Sequence, residues 1–426
     1  MNPHCEAKRN KKNNKEEQDD EIESTKTFQT LPPEIIVNVL SRLPISSLVQ
    51  FKYTCRAWSM LAQDPNLLHD LWNSHIASQS NNNMCLIFHC DFPIRNHLYF
   101  LDFPSEHNSS SDYKQTVKRI RTPFSDSMPE YDLVGSCNGF LCLSDSLYSN
   151  SVYIYNPFKR DCIELPKTVH YPNQDVVYGF GCHSEIREYK VVKIIYCRKV
   201  NRGQHDHHRY TVPPSDVQIF TLGDSNWRSL GKVHHHLVQW PEPVLVNGRL
   251  HWLTKVQRNL LDCAIISLDL ADEQFRVVPK PDHDDDEDDE EDDVLKRSCS
   301  HLMVLRGCLA AVFQCSNRTL EIWVMKEYDV KESWVMEFNI PIQMLQEPEL
   351  EVNPCFKISK LAGKKSCFRV LCMLNKSEIL LEYKSRVLIA YNPDSEKFRN
   401  VVFEGMPKWF QIAVHVGNFN AIGTFY

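Results

Sequence analysis

The chain has 426 residues, enough for two or three domains, and 42% of them are hydrophobic, so it can bury a sizeable core. Its net charge of −7 is uneven, because residues 282–293 alone carry 11 acidic side chains and the remainder holds 48 basic against 44 acidic ones. This near-neutral remainder shows no basic stripe, so we expect no nucleic-acid partner.

The amino-terminal segment lacks the features of a secreted or membrane protein. It is polar and charged, without the apolar stretch of a secretory signal, and no apolar run in the chain approaches the ~18 residues of a membrane span. We therefore expect no membrane partner and a cytoplasmic and/or nuclear location, where the 16 cysteines are reduced thiols. Residues 1–27 are poor in apolar side chains, which predicts a disordered tail.

Residues 31–61 are typical of consecutive short helices. Pro32 and Pro33 suit the first turn of a helix, where a missing N–H costs little, and Glu34 favours its positive end. Pro44 ends this helix, and a serine at 46 or 47 can cap the next one. The segment is rich in large apolar side chains, among them Ile35, Ile36, Val39, Leu40, Leu43, Leu48 and Trp58. So small a unit cannot bury all of them alone, which indicates a partner.

This segment resembles an F-box, whose pattern begins Leu-Pro-x-Glu, closes its first helix with Leu-Pro and places a tryptophan in the third. The departures are mild, since Val39 replaces the usual isoleucine and Thr54 stands where valine is common. The resemblance implies docking onto a Skp-family adaptor and, through it, a cullin ubiquitin ligase. The positions expected to bind the adaptor are Leu31, Pro32, Ile35, Ile36, Val39, Leu40, Leu43, Pro44, Leu48 and Trp58. A local helical hairpin packed on its own domain is the alternative.

From Met84 onward the pattern changes to short strands rich in β-branched and aromatic residues. Six units recur, most of them an apolar strand, a short polar turn and a second apolar strand. When the units are aligned, their spacings are 54, 65, 48, 56 and 67 residues. The aligned positions are Asp102, Asn156, Thr221, Asp269, Met325 and Asn392.

A second repeated piece precedes several of these units. An Asn-Gly pair at 138–139 and another at 247–248 are each followed by an apolar strand, and the Arg-Gly pair at 306–307 is a looser copy. The glycines indicate tight turns. Strand-rich units of about 50 residues favour a β-propeller, for which we count six blades, with a large β-sandwich as the alternative.

The predicted fold class is therefore mainly β, with a small all-α F-box helical domain followed by a β-propeller-like repeat domain. The predicted boundaries are a tail at 1–27, the F-box at 28–72, a linker at 73–83 and the propeller-like domain at 84–426, with a disordered acidic loop at 281–294.

The strand region resembles the F-box-associated interaction domain, a kelch-like domain that follows many plant F-boxes. The matching pieces include VGSCNG at 134–139, YNP at 155–157, YGFG at 178–181 and VNGRLHW at 246–252. Together with the F-box, the resemblance covers about 28–420. It implies a protein-binding, substrate-recruiting domain in a land plant.

Motifs that would carry catalysis or hold a cofactor are incomplete. The GFG at 179–181 begins a dinucleotide fingerprint, but the residues after it continue as a strand, so we interpret it as a turn at a strand edge. The GKKS at 363–366 imitates the end of a P-loop without its first glycine. No two cysteines are closer than five positions, which excludes a C-x-x-C zinc element. We predict no catalytic, cofactor-binding or metal-binding residues.

Three further features are interpreted as solvated segments. Histidine clusters at 205–208 and 234–236 favour polar loops over metal sites. The acidic run favours a solubilising insertion over a site for a basic partner or for divalent cations, because its carboxylates repel each other.

The two resemblances together imply a substrate-recognition adaptor of a Skp–cullin–F-box ubiquitin ligase, which is a non-catalytic subunit. The alternatives are a propeller that senses a small molecule or acts as an enzyme, and a Skp-binding protein that works outside a ligase. The target protein is not identified by the sequence, but the loops at 201–216, 231–242 and 342–354 are candidates for binding it.

Overall fold

The structure is a computed structural model that describes most of the chain between residues 84 and 416 and three positions before it, Pro32, Ile35 and Asn38. Between 84 and 416, the residues outside the description are 91–95, 103–115, 125–126, 148–149, 169–173, 184, 187, 198–214, 256–262, 282–297, 316–317, 345–367 and 375–376.

The described residues form six four-stranded antiparallel sheets, the blades of a propeller. The strands of the first three blades follow, each blade in hydrogen-bonded order from the central axis outwards. Blade 1 contains β24 (Phe410–Val416), β1 (Met84–Cys90), β2 (Leu98–Asp102) and β3 (Lys118–Ile120). Blade 2 contains β4 (Tyr131–Cys137), β5 (Phe140–Asp145), β6 (Val152–Asn156) and β7 (Asp161–Glu164). Blade 3 contains β8 (Gln174–His183), β9 (Glu188–Cys197), β10 (Ser215–Thr221) and β11 (Arg228–Gly231).

The other three blades have the same order. Blade 4 contains β12 (Val244–Val246), β13 (Arg249–Leu253), β14 (Ile265–Asp269) and β15 (Phe275–Val278). Blade 5 contains β16 (Ser298–Leu305), β17 (Cys308–Gln314), β18 (Leu320–Met325) and β19 (Trp334–Ile340). Blade 6 contains β20 (Phe368–Met373), β21 (Ile379–Tyr383), β22 (Val387–Asn392) and β23 (Lys397–Val401). In the described part of the chain, two short 3-10 helices, Lys331–Ser333 and Ile342–Met344, lie between strands.

Blade 1 closes the ring by combining both ends of the domain. β24 pairs antiparallel with β1, from Met84 opposite Val416 to Cys90 opposite Phe410. The first strands of neighbouring blades contact one another around the axis, except that β13 rather than β12 makes the main contact with β8. Because β24 hydrogen-bonds to β1, the two ends of the domain share one sheet, and this closes the ring.

The hydrophobic core is divided among the six interfaces between neighbouring blades. One apolar cluster lies in each interface, so the inner strands are covered on both sides. All five residues of β6 and all five of β14 are buried, whereas the outer strands β7 and β11 are mostly exposed. This double coverage explains why the inner strands are continuous apolar runs in the sequence rather than alternating ones.

The predicted repeat is confirmed. Each of the six aligned positions is the last residue of the third strand of one blade, from Asp102 at the end of β2 to Asn392 at the end of β22. The prediction of six blades is therefore right, and the alternative of a β-sandwich is wrong. The predicted all-α F-box domain lies outside the described residues, apart from the three isolated positions.

Side chains at three of the aligned positions shape the turn that follows. Asn156 Oδ1 accepts hydrogen bonds from the N–H groups of Phe158 and Lys159 at 3.0 and 3.1 Å. Asp269 and Asn392 accept equivalent bonds from the backbone two and three residues later. These Asx turns lead the chain into the outer strand and explain the recurring Asn and Asp.

The three Gly-containing pairs form the predicted two-residue turns between first and second strands. Both residues of each pair have positive φ, for example 50° at Asn247 and 72° at Gly248. This combination is that of a type I′ hairpin turn, which asparagine and glycine adopt at low cost.

The GFG at 179–181 is not a turn at a strand edge, and that interpretation is wrong. All three residues lie inside β8. A Cβ atom on Gly179 would stand 2.5 Å from Cζ2 of Trp252, so this glycine permits blade 4 to pack closely on blade 3.

Candidate partner-binding sites

The segment predicted to bind the adaptor is described at only three positions. Ile35 and Asn38 are helical, and the Ile35 N–H donates to Pro32 O at 3.0 Å, which closes one turn. Ile35 is 48% exposed. That Pro32 and Ile35 bind the adaptor stays a prediction. The other predicted adaptor-binding positions lie outside the described residues: Leu31, Ile36, Val39, Leu40, Leu43, Pro44, Leu48 and Trp58.

The propeller has two faces with different kinds of connection. Because all strands within a blade are antiparallel, successive connections emerge at alternate ends. One end of the propeller carries the connections from first to second strand and from third to fourth strand, and we call it the turn face. We name as the loop face the end that carries the connections from second to third strand and from one blade to the next.

All three segments predicted to bind a target connect strands at the loop face, and residues 201–214 and 345–354 of these segments lie outside the described part of the chain. Residues 198–214 connect β9 to β10, residues 232–243 connect β11 to β12, and residues 341–367 connect β19 to β20. The chain enters β1 at Met84 on the turn face, because β1 is the second strand of its blade. The loop face is therefore at the opposite end of the propeller from the point where the amino-terminal segment joins it.

The connection from β11 to β12 is packed against blade 3. Tyr196 OH donates to His235 O at 2.7 Å and accepts from the Leu237 N–H at 3.0 Å. Ser215 Oγ donates to Val233 O at 2.8 Å and accepts from the Val233 N–H at 3.0 Å. These bonds fix the path of the connection and direct its end toward the central axis.

The histidine cluster at 234–236 belongs to this connection. His234 is exposed, as a solvated loop predicts, whereas the His236 ring packs against Tyr196 with their centroids 4.6 Å apart. Within the part of the chain that the structure describes, no group of three or more His, Cys, Asp or Glu side chains is placed to hold a metal ion. The cluster at 205–208 lies outside that part.

Arg369 forms an ion-pair cluster at the loop-face end of the central channel. Its guanidinium binds Glu242 from the β11–β12 connection and Glu382 from β21, the latter at 3.4 Å. It also donates to Ile412 O of β24 at 2.9 Å and stacks on the Trp240 ring, 5.1 Å from the centroid. Arg369 and Glu242 are 16% and 17% exposed, and Glu382 is 3% exposed. The cluster thus connects blades 1 and 6 to the start of blade 4.

His301 lies beside this cluster as a neutral imidazole. The Val370 N–H donates to His301 Nε2 at 3.0 Å, so Nε2 carries no proton, and Nδ1 can then donate to Ser300 Oγ at 2.9 Å. Burial, together with the nearby Arg369 charge, lowers the pKa of His301 to about 3. Burial raises the pKa of Glu382 to about 7, although Arg369 partly opposes the change. Arg369 therefore supplies the cluster's positive charge.

A recess next to the cluster encloses about 20 Å³ and is lined by residues that include Trp240, Glu242, His251 and His301. This volume suits about one water molecule, whereas small-molecule sites in proteins occupy several hundred Å³. The recess therefore gives no support to the alternative of a small-molecule sensor or enzyme.

Arg369 and Glu382 are not among the residues predicted from the sequence, and Glu242 is only the last residue of a candidate loop. Arg369 sits in the apolar strand FRVLCM, and a single arginine in such a run signals a buried charge that needs a partner. That signal predicts an ion pair but not the partner, because Glu242 lies 127 residues earlier in the chain. The three residues come together only when the ring of blades closes.

None of the described helices combines the length and apolarity that a membrane span requires.

Comparison with known proteins identifies two family domains in this order along the chain. A family model for the F-box-like domain matches residues 28–74, and one for the F-box associated beta propeller domain matches residues 85–424. The chain is 42% identical over 409 residues to F-box protein At3g07870 of Arabidopsis thaliana, with 93% of each chain covered. It is 24% identical over 407 residues to F-box protein CPR1 of the same plant, with 91% of this chain and 88% of the relative covered.

Among solved structures, an oligogalacturonate lyase in complex with manganese aligns over 73% of each chain, with 11% identity and a TM-score of 0.42. An alignment with so low a TM-score bears on neither fold nor function. The family match, by contrast, spans most of the chain and agrees with the six blades described above. The chain therefore belongs to the plant F-box proteins that carry a carboxy-terminal F-box-associated β-propeller domain.

Proposed function

We propose that this chain is the substrate-recognition adaptor of a Skp–cullin–F-box ubiquitin ligase. The observation that carries the proposal is the succession, in one chain, of an F-box-like domain at 28–74 and a propeller domain at 85–424. Domains of the F-box type generally bind a Skp-family adaptor, and that adaptor joins a cullin. A propeller presents loops suited to holding a second protein. The two domains together would bring a target to the ligase.

In this role the chain performs no covalent chemistry itself. It would hold the target near the ubiquitin-carrying subunit, so that lysines of the target meet activated ubiquitin at a raised effective concentration. The rate of ubiquitination would then depend on the orientation and rigidity of the connection between the F-box and the propeller. Within this proposal, the loop face is the surface that carries the target.

The first test is co-purification of the full chain with a Skp-family adaptor and a cullin, compared with a variant that carries Leu31→Ala and Pro32→Ala. We expect wild type to retain both partners and the variant to lose them. Loss of a buried leucine contact costs about 2–5 kcal/mol, which weakens binding more than tenfold. The residues were chosen because they stand at the head of the F-box pattern.

A matched control is Val402→Ala, which removes an apolar side chain that is 81% exposed on the propeller. This variant should retain both partners. Circular dichroism and thermal unfolding establish that the propeller of each variant is folded. Undiminished adaptor binding by a folded double variant would contradict the assigned contact. Adaptor binding without cullin would indicate a role outside a ligase.

A further inference from the structure

The innermost strand of blade 4 is interrupted on its loop-face side. β12 has only three residues, whereas the first strands of the other blades have six to ten. β13 nevertheless continues, and Leu253 O accepts the Val238 N–H at 2.9 Å before β12 begins at Val244, opposite His251. One residue separates these two pairing points on β13, whereas five separate them on the other strand, the sequence QWPEP at 239–243. This QWPEP segment therefore bulges out of the sheet toward the central channel.

Side chains, rather than backbone pairing, hold the QWPEP segment in place. No backbone hydrogen bond joins it to another described residue, and its two prolines have no N–H to donate. Gln239 Oε1 accepts the Tyr178 N–H of β8. The Trp240 ring lies against the Arg369 guanidinium, and Glu242 is paired with that guanidinium. A segment that is held by so few interactions can be released without unfolding the blades around it.

The guanidinium of Arg369 serves two carboxyl groups. Its Nη2 binds Glu242, whereas its Nη1 donates to Ile412 O at 2.9 Å and lies 3.4 Å from Glu382 Oε2. The last distance exceeds the about 2.7–2.9 Å of a charge-assisted hydrogen bond, so Glu382 is the looser partner. Glu382 is also the direct cross-strand neighbour of Arg369, so it stays beside the guanidinium even when the QWPEP segment moves away.

The proton on Glu382 is coupled to the position of Glu242. Burial raises the pKa of Glu382 to about 7; Arg369 lowers that pKa, and the Glu242 charge raises it. His301 of β16, which faces Arg369, has a pKa lowered to about 3 by burial and by the arginine, so it adds no charge. Because Glu242 favours the protonated form of Glu382, the proton must equally favour Glu242 in its place on Arg369. An ionised Glu382 would instead repel Glu242 and compete for the guanidinium.

We propose that the QWPEP segment is a proton-controlled latch at the loop-face end of the central channel. The latch is closed while Glu382 carries its proton, because Arg369 then binds the Glu242 carboxylate alone. It opens more readily once Glu382 is ionised and shares the guanidinium. Since the segment lies at the centre of the loop face, its release changes the surface that a target would meet. That consequence rests on the proposed adaptor function, whereas the latch itself does not.

The test measures hydrogen–deuterium exchange at two backbone amides of the full chain, at pH 6 and pH 8, which lie on either side of the Glu382 pKa of about 7. The reporters are Tyr178, whose N–H is bonded to Gln239, and Val238, which borders the QWPEP segment. Each exchange rate is divided by the intrinsic rate of an unprotected amide at the same pH. We expect protection of both amides to be at least about fivefold lower at pH 8 than at pH 6, the lower end of ordinary coupling between two sites.

Three variants assign the effect to the two carboxyl groups. Glu382→Gln cannot ionise and should keep strong protection at both pH values, whereas Glu242→Gln loses the closing ion pair and should show weak protection at both. The matched control is Glu378→Gln, which removes a carboxylate of the same blade from its exposed partner Arg399 and should behave as wild type. Circular dichroism establishes that each variant is folded. Wild-type protection that does not change with pH would overturn the proposal, and so would an unchanged pH dependence in Glu382→Gln.

The histidines at 234–236 are a second possible source of pH dependence, because they lie on the same connection and histidine ordinarily titrates in this range. A variant with glutamine at all three positions should keep the wild-type pH dependence. Loss of that dependence would make the histidines the sensor and would overturn the proposal.

The coupling also predicts a change in the opposite direction. In Glu242→Gln the pKa of Glu382, measured from the carboxyl chemical shift of ¹³C-labelled glutamate, should be lower than in wild type, because the charge that raises it has been removed. An unchanged pKa would exclude the coupling. None of these measurements uses the adaptor, so their failure overturns the latch alone, whereas failure of co-purification overturns the proposed function alone.

Discussion

The turn face and the loop face of the propeller are held by interactions of different range. On the turn face, the Asx turns are fixed by their own residues, as where Asn156 bonds to the backbone two and three positions later, although Glu273 in the β14–β15 connection also pairs with Lys190 and Arg228 of blade 3. On the loop face, the path of the chain depends on distant residues: Tyr196 holds His235 and Leu237, and Arg369 binds Glu242 across 127 residues. These Asx turns can form locally, whereas the loop-face contacts of Tyr196 and Arg369 require distant strands to be in place.

This difference predicts how each face responds to mutation. Loss of a hydrogen bond in an Asx turn of the turn face should lower the free energy of unfolding only by the value of that bond, because few other contacts depend on it. A lost loop-face bond should cost more, because it leaves buried charges without a partner and disconnects several blades. The predictions below test that contrast, beginning with the largest effect.

Replacing Arg369 by alanine should produce the largest loss. It removes the bonds to Glu242, Glu382 and Ile412 O and leaves Glu382 buried without its counter-charge. Breaking a buried ion pair in this way costs about 3–5 kcal/mol. The measurement is the free energy of unfolding from denaturant titration at pH 8. The control is Arg399→Ala in the same blade, whose ion pair with Glu378 is exposed on the arginine side and is worth about 0.5 kcal/mol.

The pH dependence of the Arg369→Ala deficit sharpens this test. Burial raises the pKa of Glu382 to about 7 from its ordinary value of 4.5, so the folded protein holds that proton more tightly than the unfolded chain does. The contribution of Glu382 to the free energy of unfolding of the wild type therefore falls as the pH rises from 4.5 to about 7. Without Arg369 the pKa rises further, so the variant's deficit should be largest above pH 7 and should shrink toward pH 5. A deficit that is equal at both pH values would exclude Glu382 as its cause.

The same contrast in range explains what the sequence could predict. The six blades could be predicted because their turns depend on local residues. An Asn or Asp ends several of the third strands, and a pair containing glycine follows several of the first strands, so both signals are visible in the sequence itself. Once six blades are counted, alternation of the connections places the candidate loops on one face. The Arg369 cluster could not be found in this way, because nothing in the sequence pairs an arginine in β20 with Glu242.

The GFG in β8 is a second case in which a contact between blades cannot be predicted from the local sequence. Its glycines predict a turn, because a turn is the usual local role of glycine. Their actual role is to admit Trp252 of the next blade, and that requirement comes from a strand about seventy residues later. Close approach between blades is a property of the assembled ring, and it leaves no local pattern that distinguishes it from a turn.

A smaller loss is expected on the turn face from Asn156→Ala. The change removes the acceptor for the N–H groups of Phe158 and Lys159, at a residue that is fully buried. Leaving such donors without an acceptor costs about 2 kcal/mol. Asn392→Ala is the matched control, because Asn392 makes the same two bonds in blade 6 at a less buried position, where water can replace the lost acceptor. Equal losses at the two positions would show that burial does not set the value of this turn.

The smallest effect is a difference between two glycines of the turn face. Gly248 and Gly307 occupy the same place in equivalent turns, with φ of 72° and 80°. Alanine at either position pays for the left-handed conformation, about 1 kcal/mol. A Cβ at 248 would also stand 2.4 Å from Cδ2 of His183, whereas a Cβ at 307 meets nothing within 4 Å. Thermal unfolding of the two variants should therefore show Gly248→Ala to be less stable by a further ~1 kcal/mol. Equal losses would mean that the His183 side chain moves aside freely. The backbone conformation alone would then set the cost of alanine in these turns.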